Sequence, residues 1–150
     1  MKPALFLRIA AVLTFIHAVL HTIGGVFGKV PPGPATVAVE AMKTNQFLVM
    51  GSTRNFWDFY RGLGLGGTIS MTAEALLFWQ LASLAKTDPQ RLRPIMATFL
   101  VAYAALAVNS YTYFFLGPVI AEILIVACLA LAFVTAKSEA PAYAGTPQRA

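Results

Sequence analysis

Apolar residues run through this chain in four long stretches, about Leu5 to Phe27, Leu63 to Ala85, Ile95 to Phe115 and Val119 to Ala136. Each is close to the roughly 20 residues that cross about 30 Å of hydrocarbon at a rise of about 1.5 Å per residue. The pattern predicts an all-α integral membrane protein, a bundle of four transmembrane helices forming one domain over residues 1–137. The longest connection, Lys29 to Tyr60, opens with "PPGP", which stops the first helix. It continues with Val37, Ala41, Phe47 and Leu48 interleaved with Glu40, Lys43, Asn45 and Gln46, which predicts a short amphipathic helix on the outer surface. In "KTDPQRLRP" the expected turn has Thr87 or Asp88 as N-cap and Pro89 at the first helical position. Only "LGP" separates the last two spans, a tight hairpin. The tail, residues 138–150, is rich in Ala, Pro and Gly and is expected to be disordered.

Composition agrees with that medium. Of 150 residues 58% are hydrophobic and 11% charged, less than half the roughly 25% charged content of soluble domains. The first stretch follows Lys2 and Arg8 as a signal peptide would, but it is too long, contains two histidines and has no small-residue cleavage site, so it reads as an anchor. Lys2, Arg8, Lys86, Arg91, Arg93, Lys137 and Arg149 fall on one side of an up-and-down four-span arrangement. The positive-inside rule makes that side cytoplasmic and places both termini there. Lys29, Lys43, Arg54 and Arg61 in the first loop pull the other way.

The net charge of +5 is scattered along membrane edges, which suits anionic lipid headgroups and excludes nucleic acid as the expected partner. Cys128 is the single cysteine and forms no internal disulfide. "GLGLGG" lacks a preceding strand and the spacing of a dinucleotide fingerprint, so close helix packing is expected there.

The candidate chemistry lies in polar groups within apolar spans, which are costly in hydrocarbon and face the interior or a cavity. His17 and His21 share a helical stripe with Thr14, Gly24 and Gly28. Gly62, Gly66, Ser70 and Glu74 form a small-residue row in the second span, and Thr98, Ala102, Ala105, Asn109 and Thr112 a small and polar row in the third. Glu122 lies one turn after Pro118. Helical rise puts most of these groups in the outer half of the bundle. Trp57, Asp58, Tyr60 and Tyr113 gather at the same end, at the level of an interfacial aromatic belt.

From these residues we expect a pocket in the outer half that takes up a small lipophilic substrate. His17, His21 and Glu74 are the expected acid–base groups, because burial disfavours the charged form of acids and imidazoles while pairing opposes that effect. Trp57, Asp58, Tyr60, Asn109, Tyr113 and Glu122 are the expected substrate-binding residues. Isomerisation, cyclisation and epoxide opening all suit such machinery. No metal or cofactor is required. Two alternatives remain: a non-enzymatic accessory or assembly subunit in which the stripe serves packing, and a metal or single-histidine haem site. The expected partners are membrane lipids and the lipophilic molecule, with a homo-oligomer also compatible.

"HAVLHTIGG", a prolyl loop, "FWDFYRGLGL" and a Glu-bearing helix together resemble, in layout, small four-helix membrane proteins of bacteria, DoxX-like groups among them. That resemblance implies a bacterial inner membrane. Intramembrane His, Glu and Asn with interfacial Trp is similar in chemistry to EXPERA-type sterol isomerases, whose order and spacing differ. The arginine- and asparagine-rich second helix of four-helix glutathione-dependent membrane enzymes is absent.

Overall fold

The structure is a computed structural model that describes residues 2–136. The expected disordered tail, with Lys137 and Arg149, lies outside the described residues. Helix α1, Lys2–Leu20, continues as a π-helical segment, His21–Val26. Then follow α2 (Pro34–Thr44), strands β1 (Gln46–Val49) and β2 (Ser52–Asn55), and α3 (Phe56–Leu84). A 3₁₀ turn, Gln90–Leu92, leads into α4 (Arg93–Tyr113), and α5 (Leu116–Thr135) closes the chain.

Three stretches, Lys2–Val26, Gln90–Tyr113 and Leu116–Thr135, are long and apolar enough to cross a membrane. Helix α3 is the longest at 29 residues, but Glu74, Gln80 and a run of glycines and hydroxyls dilute its apolar content. The sequence reading of its start was late. Asn55 Oδ1 accepts from the Asp58 N–H at 2.8 Å, and Asp58 Oδ2 accepts from the Asn55 N–H at 3.1 Å. This reciprocal capping box satisfies orphan donors of the first turn and starts the helix at Phe56.

The long loop also holds more order than expected. The amphipathic helix α2 stops at Thr44, and an antiparallel hairpin pairs Gln46 with Asn55 and Val49 with Ser52. Its two-residue turn, Met50–Gly51, has φ of 47° and 81°, the doubly positive geometry whose twist matches the flanking strands. Phe47 sets the hairpin against α3, its ring 4.9 Å from Phe56 and 6.0 Å from Phe59. The expected "LGP" turn is instead the first turn of α5, and the chain reverses at Phe114–Phe115. Asp88 Oδ1 accepts from the Arg91 N–H at 3.3 Å and so caps the 3₁₀ turn rather than α4 itself.

The helices run up, down, up and down. Helix α1 packs on α3 and α5, and α4 packs on α5. Leu7, Ala10, Phe78, Ala82, Met96, Ile125, Leu129 and Ala132 form an apolar core towards the end that carries Lys2 and the α3–α4 turn. The outward faces are apolar too: Leu5, Ile23, Leu63, Ile69, Leu76, Val101, Val108 and Ile123 are all exposed. A continuous apolar exterior of this kind marks an interaction surface, and around whole helices it matches a lipid environment.

Candidate functional site

Polar side chains collect in the bundle towards the end that carries α2 and the hairpin, in three levels. At the lowest, the Tyr103 hydroxyl donates to Glu74 Oε2 at 2.6 Å and lies 3.4 Å from the Thr14 hydroxyl. Tyr103 and Thr14 are buried, so this contact joins α1, α3 and α4 through side chains alone. At the next, Ser110 donates to Glu122 Oε1 at 2.9 Å, while Oε2 of that buried carboxyl has no partner among the described residues.

The uppermost level belongs to the α1–α3 seam. His21 Nε2 lies 3.0 Å from the carbonyl oxygen of Gly64. A carbonyl only accepts, so Nε2 carries the proton and, in the neutral ring, Nδ1 keeps its lone pair. The ring fits because Gly67 has no side chain: a Cβ there would lie 3.3 Å from Nε2. The Thr22 hydroxyl donates to Ala18 O at 2.6 Å and lies 2.9 Å from the Thr68 hydroxyl, which holds the seam beside the histidine.

Beyond His21 the helix widens. Phe27 N–H reaches back five residues to Thr22 O at 3.0 Å, the π pattern that often marks functional positions. The wider turn frees the Gly25 carbonyl to accept from the Tyr60 hydroxyl at 3.0 Å. It also rotates the chain, so Gly24 is exposed with open space beside it rather than on the expected stripe with the histidines.

A cleft of about 270 Å³ lies over this segment. Gly24, Gly25 and Gly28 form one side, Trp57 and Tyr60 another, and Val39 and Met42 of α2 cover it, with Lys29 and Pro31 at its edge. Trp57 and Tyr60 stack with ring centroids 5.1 Å apart, and Lys43 Nζ sits 5.3 Å from the Trp57 ring on its way to pairing with Glu40. A Cβ at Gly25 would stand 3.5 Å from His21 Nδ1. The lone-pair nitrogen of His21 therefore lies close behind Gly25, although His21 does not itself line the cleft.

These positions redraw the expected site. Trp57 and Tyr60 do line the cleft, and His21 lies beneath it. His17 is half-buried one turn further down α1. Glu74 lies ten residues beyond the His21 contact at Gly64, about 15 Å along α3, so the two do not form a pair. Asp58 is spent on the α3 cap. Asn109 and Tyr113 are exposed on α4 and line no part of the cleft. The whole expected row Thr98, Ala102, Ala105, Asn109 and Thr112 faces outward, because Met96, Tyr103 and Ser110 define the inward face of α4. Gly62, Gly66 and Ser70 face outward as well, whereas Gly64, Gly67 and Thr68 meet α1.

Tyr103, Ser110 and Gly25 were not among the expected site residues. The signal for the first two was present: each falls on the helical face set by Met96 and Phe99. Among the described residues no group of three His, Cys, Asp or Glu side chains is placed to hold a metal ion. Comparison of the chain with protein-family models, curated proteins and solved structures gave no significant match.

Proposed function

We propose that this chain is an integral protein of a bacterial inner membrane, with four spans and both termini cytoplasmic, that takes a small lipophilic molecule into the cleft over His21. The three apolar helices support the membrane reading. Helix α3 joins them as the fourth span: its outward Leu63, Ile69, Leu76, Leu77 and Leu84 continue the apolar exterior, and its acid is satisfied inside by Tyr103. In this orientation the cleft lies at the outer surface of the membrane, where a molecule dissolved in the outer leaflet has a short path to it.

The observation that carries the reading is the proximity of Gly25 to His21. Gly25 stands in the wall of an apolar and aromatic cleft, and a Cβ there would lie 3.5 Å from Nδ1, the proton-accepting nitrogen of an imidazole just behind the lining. A general base has to reach a bound molecule, and Gly25 is the small residue that separates the two. His21 is then the group that exchanges a proton with the ligand, and the chemistry belongs to the acid–base class, such as an isomerisation, a cyclisation or an epoxide opening. Tyr60 fixes the floor, and Trp57 supplies the aromatic wall.

A second reading, a non-enzymatic membrane subunit, draws on a different observation. Glu74 and Glu122 are each bonded to a hydroxyl on α4 and act there as ties between helices. On that reading the polar groups of the spans serve packing.

The two readings separate in one experiment. Protein purified in mild detergent is extracted with organic solvent, and lipophilic molecules retained in stoichiometric amount are identified by mass spectrometry. Wild type and Gly62→Ala retain the molecule, since Gly62 has open space and lies outside the cleft. Trp57→Ala, which removes the aromatic wall, loses it. Equal retention by all three overturns the cleft as the site.

A further inference from the structure

Resting on the cleft reading above, we infer that the cleft selects an amphiphile with an anionic headgroup, held by Lys29 at its edge. Among the described residues that line the cleft, Lys29 carries the only charged side chain. The acids at this end of the bundle are already occupied: Glu40 pairs with Lys43 at 2.9 Å, and Asp58 caps α3. Among the described residues neither forms an ion pair with Lys29.

The remaining cations nearby do not compete for the same role. Lys43 lies over Trp57 at 5.3 Å and is paired with Glu40, and Arg61 lies over Phe27 at 5.1 Å; neither cation lines the cleft. Of the carbonyls at the end of the π segment, which favour a cation, Gly25 O accepts from Tyr60 and Thr22 O from Phe27 N–H. The lining offers a ligand the Lys29 side chain, the aromatic rings of Trp57 and Tyr60, and the aliphatic Val39 and Met42. A carboxylate or phosphate head accepts from the ammonium, and the first carbons of its chain lie against Trp57.

The test uses full-length protein in phosphatidylcholine nanodiscs with Trp79→Phe as background, so that Trp57 is the sole tryptophan reporter. Dodecanoate, dodecyl phosphate, dodecanol and dodecyltrimethylammonium are titrated at equal bilayer mole fraction while Trp57 emission is followed. The two anionic probes bind about tenfold tighter than dodecanol, the effect of one charge-assisted hydrogen bond, and the ammonium probe binds weakest. Lys29→Gln removes the tenfold preference and leaves dodecanol binding as it was. A tighter fit of dodecanoate assigns a free carboxylate, and a tighter fit of dodecyl phosphate a phosphorylated lipid; either supports the inference. Equal binding of all four overturns it while leaving the cleft reading intact. Binding of none overturns the cleft reading itself.

Discussion

The Tyr103 hydroxyl donates to Glu74 at 2.6 Å and ties α4 to α3 through side chains. Phe78 bridges the same two helices, its ring 4.9 Å from Phe99 and 5.9 Å from Tyr103. Tyr103→Phe removes the donor and leaves a half-buried carboxyl short of a partner, so it lowers stability by about 1 kcal/mol. Glu74→Gln keeps an acceptor oxygen and stays close to wild type. Thermal melting of both variants in nanodiscs checks the pair; a Tyr103→Phe variant as stable as wild type would show that the bond does not hold the helices.

The glycines of α3 divide by face. Gly67→Ala brings a methyl to 3.3 Å from His21 Nε2, and Gly64→Ala brings one to 2.9 Å from Val26 Cγ2, a branched and buried neighbour. Each costs about 1–3 kcal/mol by overpacking. Gly62→Ala and Gly66→Ala meet nothing within 4 Å and gain roughly 0.5–1 kcal/mol from helix propensity. Unfolding of the four variants by titrated denaturing detergent ranks them, and the reverse order would contradict the packing of α1 on α3.

Ser110 is the one hydrogen-bonding partner of Glu122 among the described residues. Ser110→Ala therefore strands a buried acid and destabilises by about 1–3 kcal/mol. Replacing both partners with Ser110→Ala and Glu122→Leu recovers most of that loss, since an apolar pair avoids the desolvation cost. A double variant worse than the single one would indicate that Glu122 has a further partner.

Tyr60→Phe releases the Gly25 carbonyl at the π segment. The freed carbonyl is exposed at the membrane surface, where water replaces the lost donor, so the cost is modest and the wall of the cleft loosens. The expected result is a loss of about 1 kcal/mol in stability, together with faster amide exchange confined to residues 21–28. Unchanged exchange there would remove Tyr60 from the support of the floor.

Four helices and the amphipathic α2 were legible because their signals are long or strongly patterned: apolar runs near 20 residues, and a polar helix bounded by PPGP. The α3 start needed the Asn55–Asp58 reciprocity, which the sequence offers as an ordinary pair of polar residues. The hairpin was hidden by its turn, since Met50 occupies a left-handed position that glycine or asparagine usually fills. Of the candidate site residues, Trp57, Tyr60 and His21 lie towards one end of the bundle, whereas the small and polar row expected inside α4 faces outward: there the aromatic Tyr103 faces inward and Asn109 faces out. In α1 the π segment broke the 3.6-residue period after His21, so no stripe drawn through Gly24 and Gly28 could hold.

The most direct measurement is photo-crosslinking with a diazirine-bearing fatty acid in nanodiscs, with adducts mapped by mass spectrometry. The cleft reading places them on Trp57, on Met42 of α2 and on the segment from Gly24 to Lys29, competed by excess dodecanoate and reduced by Lys29→Gln. Adducts spread over the outward faces of α4 and α5, unaffected by competitor, would contradict it.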